Sequence, residues 1–257
     1  MGFLGSPRRR NVPELLDRED NPLGEHIASL KDLQGFNTRW YGTRIILEEL
    51  EAVVGPETED LGPGTVDRGP WTFLDVGTAT ADIPRAIVAW GRARGMDMRA
   101  VGLDLHPLHL RLARRELGNG SGVTLARGDG LRLPFRDASV DVVVCSLFLH
   151  HFTEAEAVRI LREFRRVARR AVVVSDLGRS WGLYGGLWAL TKLSARSPIT
   201  VNDALISALR AFTPGEAAAL ARKAGLEDAR VRRRFPFRWT LVARSSSIIQ
   251  PRHAPDP

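Results

Sequence analysis

The chain has 257 residues, 44% of them hydrophobic and 26% charged, which excludes disorder of the whole. Lys and Arg number 37 against 30 Asp and Glu, a net charge of +7 that is compatible with nucleic acid, anionic membrane or acidic ligands. The single cysteine, Cys145, excludes an internal disulfide and any multi-thiolate metal site, and no apolar run approaches the ~20 residues of a membrane span.

Residues 1–23 read as a flexible N-terminal arm carrying Arg8-Arg9-Arg10 between Gly and Pro residues. The arm lacks the apolar core of a secretory signal; its first six residues fit a myristoylation pattern that has only two fixed positions. A soluble, cytoplasmic chain is the expectation. Over 24–54, Ile27, Leu30 and Leu33, then Ile45, Ile46, Leu50 and Val53, recur at helical spacing. They predict two helices broken near Gly35, forming a helical cap. Gly55 to Pro70 reads as a linker.

A regular alternation follows over 71–176. Strands are expected at Trp71–Val76, Arg99–Asp104, Val123–Ala126, Val140–Cys145 and Ala171–Ser175, with helices at Ile83–Arg94, Pro107–Leu117 and Glu154–Ala168. Near-continuous Val/Leu strands separated by helices mean a parallel sheet covered on both faces. Residues 177–225 read as a further helical cap or lid, and 226–244 as an antiparallel edge hairpin, with strands near Ala229–Arg234 and Arg238–Ala243. Residues 245–257 read as a disordered tail. The fold class is therefore α/β: a Rossmann-like, mostly parallel seven-stranded sheet with an antiparallel last strand and an added helical substrate cap, in one domain over 24–244.

Such a sheet binds its ligand beyond the carboxyl ends of its strands, so the chemistry is sought there. Asp75-Val76-Gly77-Thr78-Ala79-Thr80-Ala81-Asp82 turns from the first strand into a helix, where a glycine lets a ligand approach the backbone and the helix N-terminus. Asp104 ends the second strand, where a carboxylate can accept both hydroxyls of a ribose. Gly128-Asp129-Gly130 follows the third, with an acid placed for an amino group. Ser146-Leu147-Phe148-Leu149-His150-His151-Phe152 follows the fourth.

In these motifs the chain resembles the class I S-adenosylmethionine-dependent methyltransferases, in particular the small-molecule branch of ubiquinone and menaquinone methylases. Phe73-Leu74-Asp75-Val76-Gly77, Val101-Gly102-Leu103-Asp104, Gly128-Asp129 and Leu149-His150-His151-Phe152 carry the resemblance. Asp176-Leu177-Gly178-Arg179-Ser180, Arg210-Ala211-Phe212-Thr213-Pro214 and Arg234-Phe235-Pro236-Phe237-Arg238 also resemble bacterial polyketide-pathway methyltransferases. The resemblance implies S-adenosylmethionine as cofactor, held by Asp75, Gly77, Thr78, Ala79, Asp82, Asp104, Leu105, Asp129, Gly130 and Ser146. The family's first motif carries glycine where this chain has Ala79 and Ala81; positive φ at either would cost on the order of 1 kcal/mol. A catalytically degenerate cofactor-binding protein is the corresponding alternative. A nicotinamide enzyme would show G-x-G-x-x-G, which is absent here.

Methyl transfer is an in-line displacement, so the protein must align the nucleophile and exclude water. His150, then His151, are the expected base or orienting groups; Asp176 can orient a histidine or a substrate hydroxyl, or cap the following helix; and no metal is expected. The expected acceptor is a small aromatic, phenolic, quinone-type or polyketide molecule. O-methylation is favoured, with C-methylation of a quinol ring or RNA methylation as alternatives. Phe36, Trp40 and Tyr41, with Trp181, Leu183, Tyr184, Leu187 and Trp188 among Gly182, Gly185 and Gly186, suit a lid over an apolar planar substrate. They equally suit helix packing, and a weak membrane-surface contact is a further reading. Asn202, Asp203 and Phe212 would complete the lid. Nucleic acid is disfavoured as a partner, since Leu161, Phe164 and Ala168 alternate with six Arg over 159–170, as on an outer helix. Oligomeric state is not legible.

Overall fold

The structure is a computed structural model and describes residues 5–16, 18, 20–39, 42–59, 70–118, 120–195 and 197–244. The myristoylation-type start, most of the linker, Trp40, Tyr41 and the tail from 245 lie outside the described residues, as does the side chain of Phe36.

Seven strands form one sheet in the order β3-β2-β1-β4-β5-β7-β6. The first five are β1 (Trp71–Val76), β2 (Met98–Asp104), β3 (Val123–Arg127), β4 (Val140–Ser146) and β5 (Ala168–Leu177), all parallel. The edge strands are β6 (Arg230–Arg234) and β7 (Arg238–Arg244), and β7 runs antiparallel between β5 and β6. Successive strand residues point to opposite faces, and both faces are apolar. Leu74, Val76, Val143, Cys145, Val172 and Val174 face one core, against α5 (Glu154–Val167) and α8 (Pro214–Lys223). Trp71, Phe73, Val142, Val144, Ala171 and Val173 face the other, against α2 (Gly42–Glu59) and α3 (Asp82–Arg92). Two-sided burial is why these strands read as unbroken apolar runs. The strand order reverses between β1 and β4, and the crevice beyond their carboxyl ends is the site such a sheet offers a ligand.

Four expectations are corrected. The first helix, α1 (Leu23–Arg39), passes through Gly35, because one interior glycine costs only about 1 kcal/mol and α1 packs on α2 and on α7 (Pro198–Arg210). Helix α2 runs past Gly55 into the expected linker as far as Glu59, following buried Val53 and Val54. Strand β5 extends at both ends of the predicted segment, where Ala168 pairs with Val140 of β4 at one end and Asp176 and Leu177 pair with β7 at the other. Most consequentially, the arm expected to be free is docked over residues 5–16. Ser6 Oγ donates to Arg179 O (2.9 Å), and Arg9 donates to the carbonyls of Arg210 (2.6 Å) and Phe152 (2.6 Å) while lying 3.9 Å over the Phe212 ring. Phe212 is thus fully buried core rather than lid. The backbone N–H groups of Leu15 and Leu16 donate to Asp203, 2.8 Å each. Polar groups satisfied at these distances hold an otherwise unpatterned segment in place.

Three arginines at the end of α5 and just beyond it are paired within the fold. Arg166 bonds Glu163 and Asp137, and Arg169 and Arg170 reach buried Asp141. Among the described residues no helix is long and apolar enough to cross a membrane.

Candidate active site

Two cavities meet beyond the carboxyl ends of β1, β4 and β5. The larger, about 570 Å³, is lined by the loops after β1, β2, β3 and β4. Every cofactor-site residue expected from sequence lines it: Asp75, Gly77, Thr78, Ala79, Asp82, Asp104, Leu105, Asp129, Gly130 and Ser146. The turn after β1 is pinned by Gly77 and Thr78 N–H donating to Leu103 O (2.9 and 3.0 Å). Gly77 has φ 76°, and a Cβ there would stand 2.4 Å from Phe148 Cδ2, so only glycine fits. Ala79 (φ 47°) and Ala81 (φ 60°) do adopt the left-handed conformation, so the turn retains its shape despite the missing glycines.

Asp104 is 9% exposed and accepts from Ala79 N (2.9 Å) and His106 N (2.8 Å), with His109 Nδ1 3.2 Å away. Burial opposes its ionisation, but the His109 imidazole and the two N–H groups outweigh this and hold the carboxyl below its ordinary range. Behind it His109 Nε2 meets His26 Nε2 at 3.1 Å, linking α1 to the core. Burial, and the neighbouring His109 and His106, lower His26 to about 4, so it stays neutral near pH 7. Asp75 is pushed up to about 7 by burial, with Asp82 and Asp104 adding repulsion. Asp75 Oδ2, Thr78 Oγ1 and Ser146 Oγ are buried without a hydrogen-bond partner among the described residues. Orphaned acceptors and hydroxyls at the end of a crevice are what a cationic, hydroxyl-rich ligand would satisfy.

The second cavity, about 280 Å³, is mostly apolar: Leu177, Leu183, Leu187, Leu190 and Phe237 line it with Arg238 at its wall. Leu183, Gly186, Leu187 and Leu190 come from α6 (Trp181–Ser194), so part of the expected lid lines the cavity, whereas Trp181 and Trp188 are exposed. Asp203 lines it too but is engaged by the arm; Asn202 and Phe212 do not line it. Leu16, Leu33, Leu147 and His151 line both cavities.

His150 is 3% exposed, and the residue missed by the sequence reading, Glu14 of the arm, explains its state. His150 Nδ1 lies 2.7 Å from Asp176 Oδ1 and its Nε2 3.5 Å from Glu14 Oε1, while Ser207 donates to Glu14 (2.7 Å). Burial disfavours the imidazolium, but Asp176 and Glu14 more than reverse this and raise His150 to about 10. Glu14 is lowered to about 2, the His151 and His150 imidazoles outweighing its burial. A histidine charged at neutral pH has no lone pair for a substrate proton. A charged His150 suits the orienting role expected of it rather than the base role, and its pairs with Glu14 and Asp176 tie the arm to the sheet as an ionic clamp. His151 Nε2 stands 3.7 Å from Glu14 Oε2.

Among the described residues, two groups have ligand atoms near enough to share a metal ion: His26, His106 and His109, and Glu14, His150 and His151. At the second, Arg9 and Arg210 donate to the carbonyls of His150, His151 and Phe152, and this local positive charge favours a proton over a divalent cation. The i,i+3 spacing of His106 and His109 was the sequence signal for the first; nothing in sequence joins them to His26.

A crevice at the switch point of a doubly wound sheet, rimmed by carboxylates, defines a nucleotide-type ligand site. The methyltransferase domain model matches residues 73–171. A demethylmenaquinone methyltransferase of Roseiflexus castenholzii is 32% identical over 167 residues, 60% of this chain and 67% of that protein. One from Deinococcus radiodurans is 33% identical over 121 residues, 46% of this chain and 48% of that protein. The match to the Deinococcus protein thus spans about half of its length. In solved structures, the fold is shared with a Nostoc punctiforme PCC 73102 protein described as an O-methyltransferase (TM-score 0.60, 16% identity, 91% of this chain and 64% of that one). It is shared also with the magnesium protoporphyrin IX methyltransferase of Synechocystis PCC 6803, solved with bound SAH (TM-score 0.51, 17% identity, 77% and 83%). The chain belongs to the class I S-adenosylmethionine-dependent methyltransferases.

Proposed function

We propose that this chain transfers a methyl group from S-adenosylmethionine to a small aromatic, phenolic, quinone-type or polyketide acceptor. The observation that carries this reading is the pair of joined cavities, one carboxylate-rich and one apolar, with His151 on both. Asp104 suits the ribose hydroxyls, since its Oδ2 has a lone pair beyond the one used by Ala79 N–H. Asp129 suits an amino group on the ring, and buried Asp75 with half-buried Asp82 suits a cationic amino-acid portion. When bound, S-adenosylmethionine supplies a methyl carbon already activated by its sulfonium. The chain's tasks are then to align the acceptor, keep water out and take its proton. Leu16, Leu33 and Leu147 exclude water at the junction of the cavities. His151 is the titratable side chain placed there, and imidazole is the commonest general base. His150 holds the arm so that Glu14 faces His151.

O-methylation makes direct use of such a base. The demethylmenaquinone methyltransferase relatives favour a quinone-type acceptor, for which attack from ring carbon is the second reading. A methyl-transfer screen over phenols, quinols and small polyketides tests the proposal, with S-adenosylhomocysteine binding followed by calorimetry. His151→Gln should lower turnover at least about tenfold while leaving S-adenosylhomocysteine affinity within twofold. No binding heat at millimolar ligand refutes the activity, and an unchanged rate refutes the role of His151.

A further inference from the structure

The apolar cavity contains one charge that the mechanism above leaves unused. Arg238 begins β7, lines the cavity and is only 7% exposed. Its Nη2 donates to Asn37 Oδ1 (3.0 Å), and Asn37 Nδ2 in turn reaches Asp82 Oδ2 (3.4 Å). Its Nη1 is buried with no partner among the described residues. Asp176 and Asp82 act on the guanidinium through space but neither bonds it, and burial lowers it to about 10, so it is still charged at neutral pH.

The surroundings hold this cation in place. Gly42, the first residue of α2, packs so closely that a Cβ would stand 2.3 Å from Asn37 Oδ1 and 3.0 Å from Arg238 Nη2. The other ionic groups on the cavity are already matched, Glu14 by His150, His151 and Ser207, and Asp203 by Leu15 and Leu16 N–H. A buried guanidinium with an unfilled donor is costly unless something completes it. Leu177, Leu183, Leu187 and Phe237 offer no acceptor side chain.

We propose that Arg238 forms an oxyanion subsite in the acceptor cavity, holding an anionic oxygen of an otherwise apolar acceptor. The acceptor class is thereby narrowed to planar or aliphatic molecules bearing a carboxylate, phenolate or enolate away from the methylated atom. A guanidinium suits such a group because its donors form a rigid planar fork. This inference rests on the reading of the second cavity as the acceptor site.

The test titrates the full-length protein with 2-naphthoate and with 2-naphthamide, which has the same shape without the charge. S-adenosylhomocysteine is titrated separately. Naphthoate should bind about tenfold tighter than naphthamide or better, as expected for a charge-assisted bond in place of an orphaned donor. In Arg238→Gln the preference should fall to within about twofold, and Arg238→Lys should retain part of it, with S-adenosylhomocysteine affinity unchanged in both. Equal affinities in the wild type overturn the subsite without need of a variant, so a poorly folding Arg238→Gln leaves the test decisive. A loss of S-adenosylhomocysteine affinity in Arg238→Gln with the acid preference intact also overturns it, assigning the guanidinium to the cofactor's carboxylate. Absence of S-adenosylhomocysteine binding beside a retained naphthoate preference refutes the methyl-transfer reading and supports the subsite.

Discussion

Replacing Asp176 with Asn removes one of the two carboxylates that hold His150 charged. Asp176 is fully buried and accepts from His150 Nδ1 (2.7 Å), His150 N (3.0 Å) and Leu177 N (2.7 Å). Asn keeps the shape, but one of its two polar atoms is a donor facing other donors. Breaking a buried ion pair from one side costs about 3–5 kcal/mol. Glu14 remains 3.5 Å from the imidazole, so a loss of about 2–4 kcal/mol is expected near pH 6. The dependence on pH is the sharper signature. His150 is raised from 6.5 to about 10, so the clamp's contribution is complete below pH 6.5 and declines as pH rises towards 10. Each unit of that decline is worth about 1.4 kcal/mol in the wild type and much less in Asp176→Asn, whose imidazole titrates lower. The penalty of the substitution should therefore shrink from pH 6 to pH 9.5. Urea denaturation of both proteins at the two pH values measures this. A penalty below about 0.5 kcal/mol at pH 6, or one that does not change with pH, refutes the charged clamp.

Gly77→Ala should cost about 2–4 kcal/mol and abolish S-adenosylhomocysteine binding, because its φ of 76° and the 2.4 Å approach to Phe148 are both incompatible with a methyl. A folded, binding-competent variant would contradict the geometry of the turn. Ala79→Gly and Ala81→Gly should each change stability by less than about 1 kcal/mol, since relief of left-handed strain is offset by the looser unfolded chain. Thermal denaturation checks this, and a loss above about 2 kcal/mol in either variant would show that the alanines are not strained.

The sheet and the crevice beyond its strand ends were legible because their determinants are local. Strand and helix alternate along 71–176, and each loop residue assigned from sequence sits at the carboxyl end of its own strand, where the topology collects it. Helix limits were less legible. Gly35 and Gly55 look like breaks, yet tertiary packing by Leu30, Val53 and Val54 outweighs a glycine's modest helix penalty. Glu14, the second carboxylate beside His150, was not legible, because the arm that carries it is remote in sequence from both histidines. Arg238 likewise appears in sequence as one of many arginines.

The sequence by itself determined the α/β class, the switch-point crevice and the residues rimming it, since periodicity and strand-end position are properties of neighbouring residues. Only the tertiary structure decided that the N-terminal arm is docked, that His150 is paired with both Glu14 and Asp176 while His151 borders both cavities, and that a buried guanidinium stands on the wall of the apolar cavity. Those outcomes depend on desolvation and on carboxylates brought together from distant parts of the chain, which no local pattern records.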